Sequence, residues 1–288
     1  MNTTPELKLA PGQADTLVAL RAEMGDLEAI EADVLGAGGL RARLEPDLEA
    51  IRTDARSLWK CHDHFVLRRV PVAEDGATGL LIAALLFRAL RPYRAGRVVK
   101  SFHMTPWTKA LSHTLAEGTF HTDLNTAAQP PAATLMQCVH PDPDAPRHGQ
   151  LRVARFRDVL DALRRSDHGT AVRLLTEDEV VMVNDASPVH WSGKIHDGAS
   201  VRFHPETLRA GQRRLGGNST DLDDALRIIH DAALSVSCPI DLGPGDMLFV
   251  SNRRALHQRG ACTVRFRSFP RDFESRTVAV MHAMDDLG

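Results

Sequence analysis

Seven short apolar runs, each bounded by Gly, Pro, Asp or Asn, dominate the chain after residue 117: GTFHTD (118–123), ATLMQCV (133–139), VVMV (180–183), ASVRF (199–203), PIDL (239–242), DMLFVS (246–251) and RTVAVMHA (276–283). Runs this short, rich in β-branched residues and punctuated by turn formers, read as strands. They do not alternate one for one with helices, which favours a sandwich or jelly roll over alternating βαβ units. Helical spacing of apolar residues is concentrated earlier, over 14–57 (Leu17, Leu20, Met24, Leu27, then Leu44, Leu48, Ile51), with a break at Gly36–Gly39. Between these regions HFVLRRV (64–70) reads as a strand, GLLIAALLFRALRPY (79–93) as a buried helix ended by Pro92, and RVVKSFHM (97–104) as another strand. Two later helices are expected, FRDVLDALRR (156–165) and DLDDALRIIHDAALS (221–235). The expected class is α+β, a β-sandwich or jelly roll with flanking helices, mainly N-terminal.

All 288 residues are expected to form one domain, with residues 1–13 as a flexible leader. Acidic and basic residues nearly cancel, 37 against 35, so the broad positive field that gathers nucleic acid or anionic membrane is missing. The expected partner is a small molecule, with no nucleic acid and no membrane. Cys61, Cys138, Cys238 and Cys262 form no C-x-x-C pair, and four reduced thiols in a cytoplasmic protein are expected. No glycine-rich phosphate cradle of the Walker or Rossmann type is present.

Alternate residues of a strand share a face, so His121 and Asp123 in FHTD can reach one metal ion together. Such a pair is weak alone in a chain with 14 histidines, and His140 with Asp142 forms a second one. Pro141 and Pro143 place that second pair in a turn. GPGDMLFVSNRRALHQRG (243–260) offers a third ligand: a tight turn at Pro244-Gly245, a buried strand, a reversal over 251–254, and then His257 returning beside the strand. Two histidines and one carboxylate leave open positions on a mononuclear iron.

FHTD, then GDMLFVSNRRALHQRG, then ESRTVAVMHAM together resemble the taurine dioxygenase and clavaminate synthase-like family over roughly residues 60–284. The resemblance implies a distorted double-stranded β-helix (jelly roll) and an oxidoreductase that uses Fe(II), 2-oxoglutarate and O2. It implies that His121, Asp123 and His257 are the catalytic metal ligands and that Arg276 binds the distal carboxylate of 2-oxoglutarate, a task that suits the fixed fork of a guanidinium. Arg271 competes for that role, but it sits in the loop-like SFPRDFES, whereas Arg276 opens an apolar strand. A carboxylate at Asp123 disfavours halogenation, since related halogenases have a small residue there.

Two positions depart from the family pattern. Where a glycine-glycine-x-threonine turn is usual, the chain reads His148-Gly149-Gln150-Leu151, and Leu151 has no side-chain donor for 2-oxoglutarate; Gln150 or Arg152 are the nearby substitutes. Where relatives carry a second arginine for an acidic substrate group, the chain has Val280. The substrate then either lacks an acid at that place or meets another arginine, such as Arg265 or Arg267. Glu117 and Asp185 are candidates for holding an amine, and His113, Trp191 and His196 for lining the pocket. The expected reaction is hydroxylation of a small polar metabolite, with desaturation or cyclisation on the same chemistry, in specialised-metabolite (antibiotic) biosynthesis. An iron site that works without 2-oxoglutarate, and a metal-keeping jelly roll without turnover, remain as rivals.

Overall fold

The computed structural model describes residues 4–36, 39–110, 112–184, 189–217 and 220–287. Its centre is a six-stranded sheet in the order β1 (Glu6–Lys8), β2 (His64–Arg68), β9 (Met247–Ser251), β4 (Ala133–His140), β13 (Thr277–Ala283) and β3 (Lys100–His103). All neighbours are antiparallel except β1 and β2. Side chains alternate between its faces. Phe65, Leu67, Leu135, Phe249 and Met281 point to an outer layer made by α1 (Pro11–Met24), α2 (Leu27–Leu35), α3 (Leu40–His62) and α4 (Ala77–Leu86). There Phe65 stacks on Phe249 at 4.5 Å and meets the edge of Trp59 at 6.4 Å. Val66, Met136, Leu248, Val250, Val278 and Val280 point the other way, toward a second sheet.

That second sheet has the order β10 (Ala255–Arg259), β5 (Leu151–Arg155), β8 (Cys238–Ile240). Its Leu151, Val153, Ile240 and Ala255 close an apolar layer against the inner face of the first sheet. A third cluster gathers α5 (Phe156–Arg165), α6 (Gly169–Thr176), α7 (Pro205–Arg214), α8 (Thr220–Val236) and the hairpin of β6 (Glu179–Val183) and β7 (His190–Lys194). A last hairpin joins β11 (Val264–Ser268) to β12 (Asp272–Ser275).

The strand-rich, helix-flanked class expected from sequence is the one observed, with local differences. The helices are split between the two ends of the fold instead of lying mainly at the N-terminus, because α6 and α7 are short amphipathic helices inside the third cluster. Of the segment expected as a flexible leader, Glu6–Lys8 pair with Val66–Arg68 and Leu9 is buried, so an unpaired sheet edge orders that stretch. Helix α4 is buried at every position and stops at Phe87, ahead of Pro92; Arg88 and Ala89 donate their backbone N–H groups to Asp285 at 2.9 and 3.0 Å instead. GTFHTD and ASVRF are not strands but single bridges, His121 with His257 and Val201 with His196. No disulfide joins the four cysteines among the described residues. Among the described residues no helix is long and apolar enough to cross a membrane.

Candidate metal centre

The reversal after β9 is not a hairpin. Strand β9 belongs to the six-stranded sheet and β10 to the three-stranded one, so the turn at residues 252–254 carries the chain from one sheet to the other. Asn252, 2% exposed, fixes that crossing: its Oδ1 accepts from the Asp123 N–H at 2.7 Å, and its Nδ2 donates to the carbonyls of Asp123 and Pro131 at 3.0 and 3.1 Å. One edge of β10 pairs with β5, placing His257 opposite Val153. On its other edge His257 exchanges two backbone hydrogen bonds with His121, both 3.0 Å. The imidazole centroids are 4.4 Å apart. Asp123 follows in a turn where Leu124 takes φ +50. A bridge, a turn and the Asn252 clasp thus achieve the convergence expected of a strand.

One potential ligand atom each from His121, Asp123 and His257 lies within 4.8 Å of the others. Asp123 Oδ1 is 3.5 Å from His121 Nε2, and Asp123 Oδ2 is 3.6 Å from His257 Nε2. His121 Nδ1 is 2.7 Å from the Thr119 carbonyl, a bond that fixes the ring and turns Nε2 toward the acid. Burial pushes the Asp123 pKa up, but the His257 charge and hydrogen bonds from His121 and His282 outweigh it and hold the carboxyl well below its ordinary value. Burial pulls His257 down to about 4 against the pull of Asp123. His121 moves up, because its bond to Asp123 and the Asp123 charge overcome desolvation. The donor set fits a divalent transition metal with open positions.

Arg276 has 3% exposure, and its Nη2 finds no hydrogen-bond partner among the described residues. An unanswered guanidinium nitrogen in the interior suits an anionic carboxylate, and burial, helped by the Arg259 charge, pulls the Arg276 pKa down. Gly149, with φ +75, lies against it: a Cβ there would stand 3.1 Å from Arg276 Cδ. Leu151 is buried in the layer with Val278 and Val280, offering no donor. Of its suggested substitutes, Arg152 bonds Ser237 at 3.3 Å, and the Gln150 carbonyl accepts from Gly260 at 2.8 Å.

The rival positions have other partners. His140 is exposed and bonds Glu74 at 2.9 Å, while Asp142 accepts from Thr263 and from the Asp144 N–H, closing the turn after β4. Arg271 is in the exposed turn between β11 and β12, and Arg265 and Arg267 pair with Glu274 there. Glu117 is bonded by Gln258 at 3.0 Å, and Asp185 falls outside the described residues. His113 Nδ1 is 3.1 Å from the His103 carbonyl. Trp191 lies under Arg202 at 4.8 Å and His196 against Phe156 at 4.8 Å, both by the third cluster.

The sequence reading missed a second ring of groups. Thr134 Oγ1 donates to Asp123 Oδ2 at 2.7 Å, and His282 Nε2 lies 3.0 Å from the same oxygen. Tyr93 Oη bonds His282 Nδ1 in turn. The His204 ring is tilted against His121 with centroids 5.0 Å apart, and burial with the His121 charge pulls its pKa to about 3. Strand alternation offered one signal, since His282 is six residues from Arg276 and shares its face.

The chain matches the model of the family described as taurine catabolism dioxygenase TauD, TfdA family, over residues 31–269, a stretch holding His121, Asp123 and His257 and ending before Arg276. No curated protein matches it. Among solved structures, an asparagine oxygenase in complex with Fe(II), 2S,3S-3-hydroxyasparagine and succinate is 17% identical, with TM-score 0.75 over 96% of this chain and 93% of that one. The non-heme iron oxygenase OrfP in complex with Fe and alpha-ketoglutaric acid is 18% identical, with TM-score 0.67 over 99% and 95%. OrfP in complex with Fe, succinate and (3S)-hydroxy-L-Arg gives 19% and 0.66 over 98% and 95%. At these identities the likeness establishes the fold, while the match of the family model over most of the length establishes kinship. The chain belongs to the taurine catabolism dioxygenase TauD, TfdA family and is an Fe(II)- and 2-oxoglutarate-dependent oxygenase.

Proposed function

We propose that the protein hydroxylates an unactivated C–H bond of a small polar metabolite, with His121, Asp123 and His257 holding iron and Arg276 holding the distal carboxylate of 2-oxoglutarate. The observation that carries this reading is the pairing of a three-ligand cluster with a buried arginine that lacks a full set of partners. The two facing sheets support a double-stranded β-helix core, with residues 1–288 acting as one cytoplasmic domain. The ligands of the structural neighbours, 2S,3S-3-hydroxyasparagine and (3S)-hydroxy-L-Arg, favour an amino-acid-like substrate and a place in specialised metabolism.

Fe(II) with 2-oxoglutarate and O2 would supply the oxidising chemistry when bound. The chain's own contribution is positional. The Thr119 carbonyl orients His121, and Thr134 and His282 hold one oxygen of Asp123. Met136, Leu151, Val153, Val278 and Val280 form an apolar wall that keeps water from the cosubstrate and strengthens each charge contact inside. The test is succinate formation from 2-oxoglutarate by the Fe(II)-loaded protein with a panel of amino acids. Asp123→Ala is expected to abolish it; full activity in that variant would move the site elsewhere.

A further inference from the structure

A groove of about 600 Å³ opens beside the turn between β9 and β10. Arg202, Arg253 and Arg254 line it, and Asn252, the residue that clasps Asp123, forms part of its wall. None of His121, Asp123, His257 and Arg276 lines it, so the groove is separate from the metal cluster and from the buried arginine. The Val201 N–H donates to the Arg253 carbonyl at 2.9 Å, which sets the chain at Arg202 against the chain at Arg253.

Charge around the groove is unbalanced. Among the described lining residues Asp286 is the only carboxylate, and both its oxygens are occupied: Oδ2 accepts from Arg254 at 2.6 Å and Oδ1 from the Trp59 indole. Asp63 also pairs with Arg254, so that arginine is neutralised. Arg202 is not. Its Nη atoms donate to the carbonyls of Asn125, Ala127 and Ala128 at 3.4, 2.8 and 3.3 Å, all neutral acceptors. Asp197, whose field Arg202 feels, accepts instead from the N–H groups of Ala199 and Ser200. Arg91 bridges two lining residues, donating to the Gln129 carbonyl and the Met284 sulfur and to no carboxylate. Arg253 is exposed, and its guanidinium has neither a hydrogen bond nor an ion pair with any described residue. Three cations without a paired acid thus gather at one concave surface of a chain whose net charge is -2. A concavity lined by one sign of charge concentrates the opposite sign.

We propose that this groove is a second ligand site, one for a small organic phosphate. The phosphate sits at Arg253, whose free planar fork matches two phosphate oxygens, with Arg202 and Arg91 adding positive field. A doubly charged phosphate answers more than one cation, which a single carboxylate does not. The volume of about 600 Å³ is that of small-molecule sites and exceeds what a bare phosphate fills. Pro130, Pro131, Val201 and Met284 give the organic part an apolar floor. Such a site goes beyond the oxygenase reading and is independent of it, since it uses neither the metal ligands nor Arg276.

The test is calorimetric titration of the full chain with ADP, adenosine, inorganic pyrophosphate and citrate. The protein is metal-free, so that phosphate cannot ligate iron, and excess 2-oxoglutarate competes for Arg276. ADP and pyrophosphate are expected to bind, more weakly as salt rises, and adenosine to bind about 10–100-fold more weakly than ADP, the range for losing a charge-assisted contact. Arg253→Ala should weaken ADP by a similar factor, and Arg253→Lys should recover part of the loss; the exposed position lets both variants fold, which circular dichroism checks. No binding of either phosphate probe, adenosine or citrate binding as tightly as ADP, or an Arg253→Ala variant that binds ADP like the parent would overturn the proposal. None of these outcomes depends on succinate formation, so the oxygenase reading stands or falls separately.

Discussion

Thr134 and His282 converge on the same oxygen of Asp123, Oδ2, at 2.7 and 3.0 Å, and leave Oδ1 facing His121. A carboxylate held in this way cannot rotate freely between its two oxygens, so its ligand geometry is set before any metal arrives. Groups of this kind behind a ligand are worth about 10–100-fold in metal affinity. Accordingly, His282→Ala is expected to weaken Fe(II) binding by about that range, measured anaerobically by calorimetry, with His282→Gln recovering part of it. Unchanged affinity in His282→Ala would remove the histidine from any positioning role. At the opposite end of the site, Arg276→Lys keeps the charge but loses the planar fork. Its KM for 2-oxoglutarate should rise roughly tenfold to a hundredfold, the loss of about 1.5–3 kcal/mol for one bond to a charged group. A KM unchanged in steady-state succinate assays would assign the distal carboxylate to another residue.

At the level of elements, the site depends on turns that bring distant strands together. The turn before β5 passes Gly149, whose φ of +75 disfavours other residues and whose missing Cβ makes room for both Asp142 Cβ, 2.6 Å from that position, and Arg276 Cδ. Asp142 cannot retreat easily, since it holds Thr263. Gly149→Ala should therefore cost about 1–3 kcal/mol in urea denaturation and raise the KM for 2-oxoglutarate, because the displaced atom is part of Arg276. A variant stable as the parent with the parent KM would show the turn to be slack. These same connections decide how much was legible in the sequence. The apolar runs gave β4, β6, β9 and β13 within a residue or two because each is a short, continuous apolar stretch, a signal carried by the segment itself. The β9-to-β10 segment looked like a hairpin, since nothing within it reveals that β10 pairs with β5, about a hundred residues upstream. His121 and Asp123 were correctly seen to share a direction, yet the cause is the distant Asn252 rather than a strand. Tyr93 was invisible as a site residue because its relation to Asp123 passes through His282, a contact that composition does not encode.

For the molecule as a whole, the two-sheet layer buries imidazoles that the unfolded chain would expose, and this couples stability to pH. His257 is held at about 4 and His204 at about 3, both chiefly by burial, and His64 is also pulled down by burial. An unfolded histidine titrates near about 6.5. Below that pH the unfolded chain takes up protons that these folded imidazoles refuse, so their contribution to stability is complete above about 6.5 and is lost as pH falls toward the folded values. His121 works in the opposite sense and in a higher window: raised by Asp123, it contributes fully below about 6.5 and loses that contribution as pH rises through its folded pKa, so it leaves the loss below about 6.5 unopposed. The metal-free protein should thus lose stability on acidification from about pH 7 to about pH 5, at about 1.4 kcal/mol per pH unit for each net proton. Iron adds a second dependence of the same sign, because His121 must release its proton before it can coordinate, and metal affinity falls as pH falls. Urea denaturation of the metal-free protein across that window measures the first effect without the second. A midpoint independent of pH would mean that these imidazoles are open to water in solution. His204→Gln should make the slope shallower by about 1.4 kcal/mol per pH unit, since one refused proton is gone, while leaving the three clustered ligands in place.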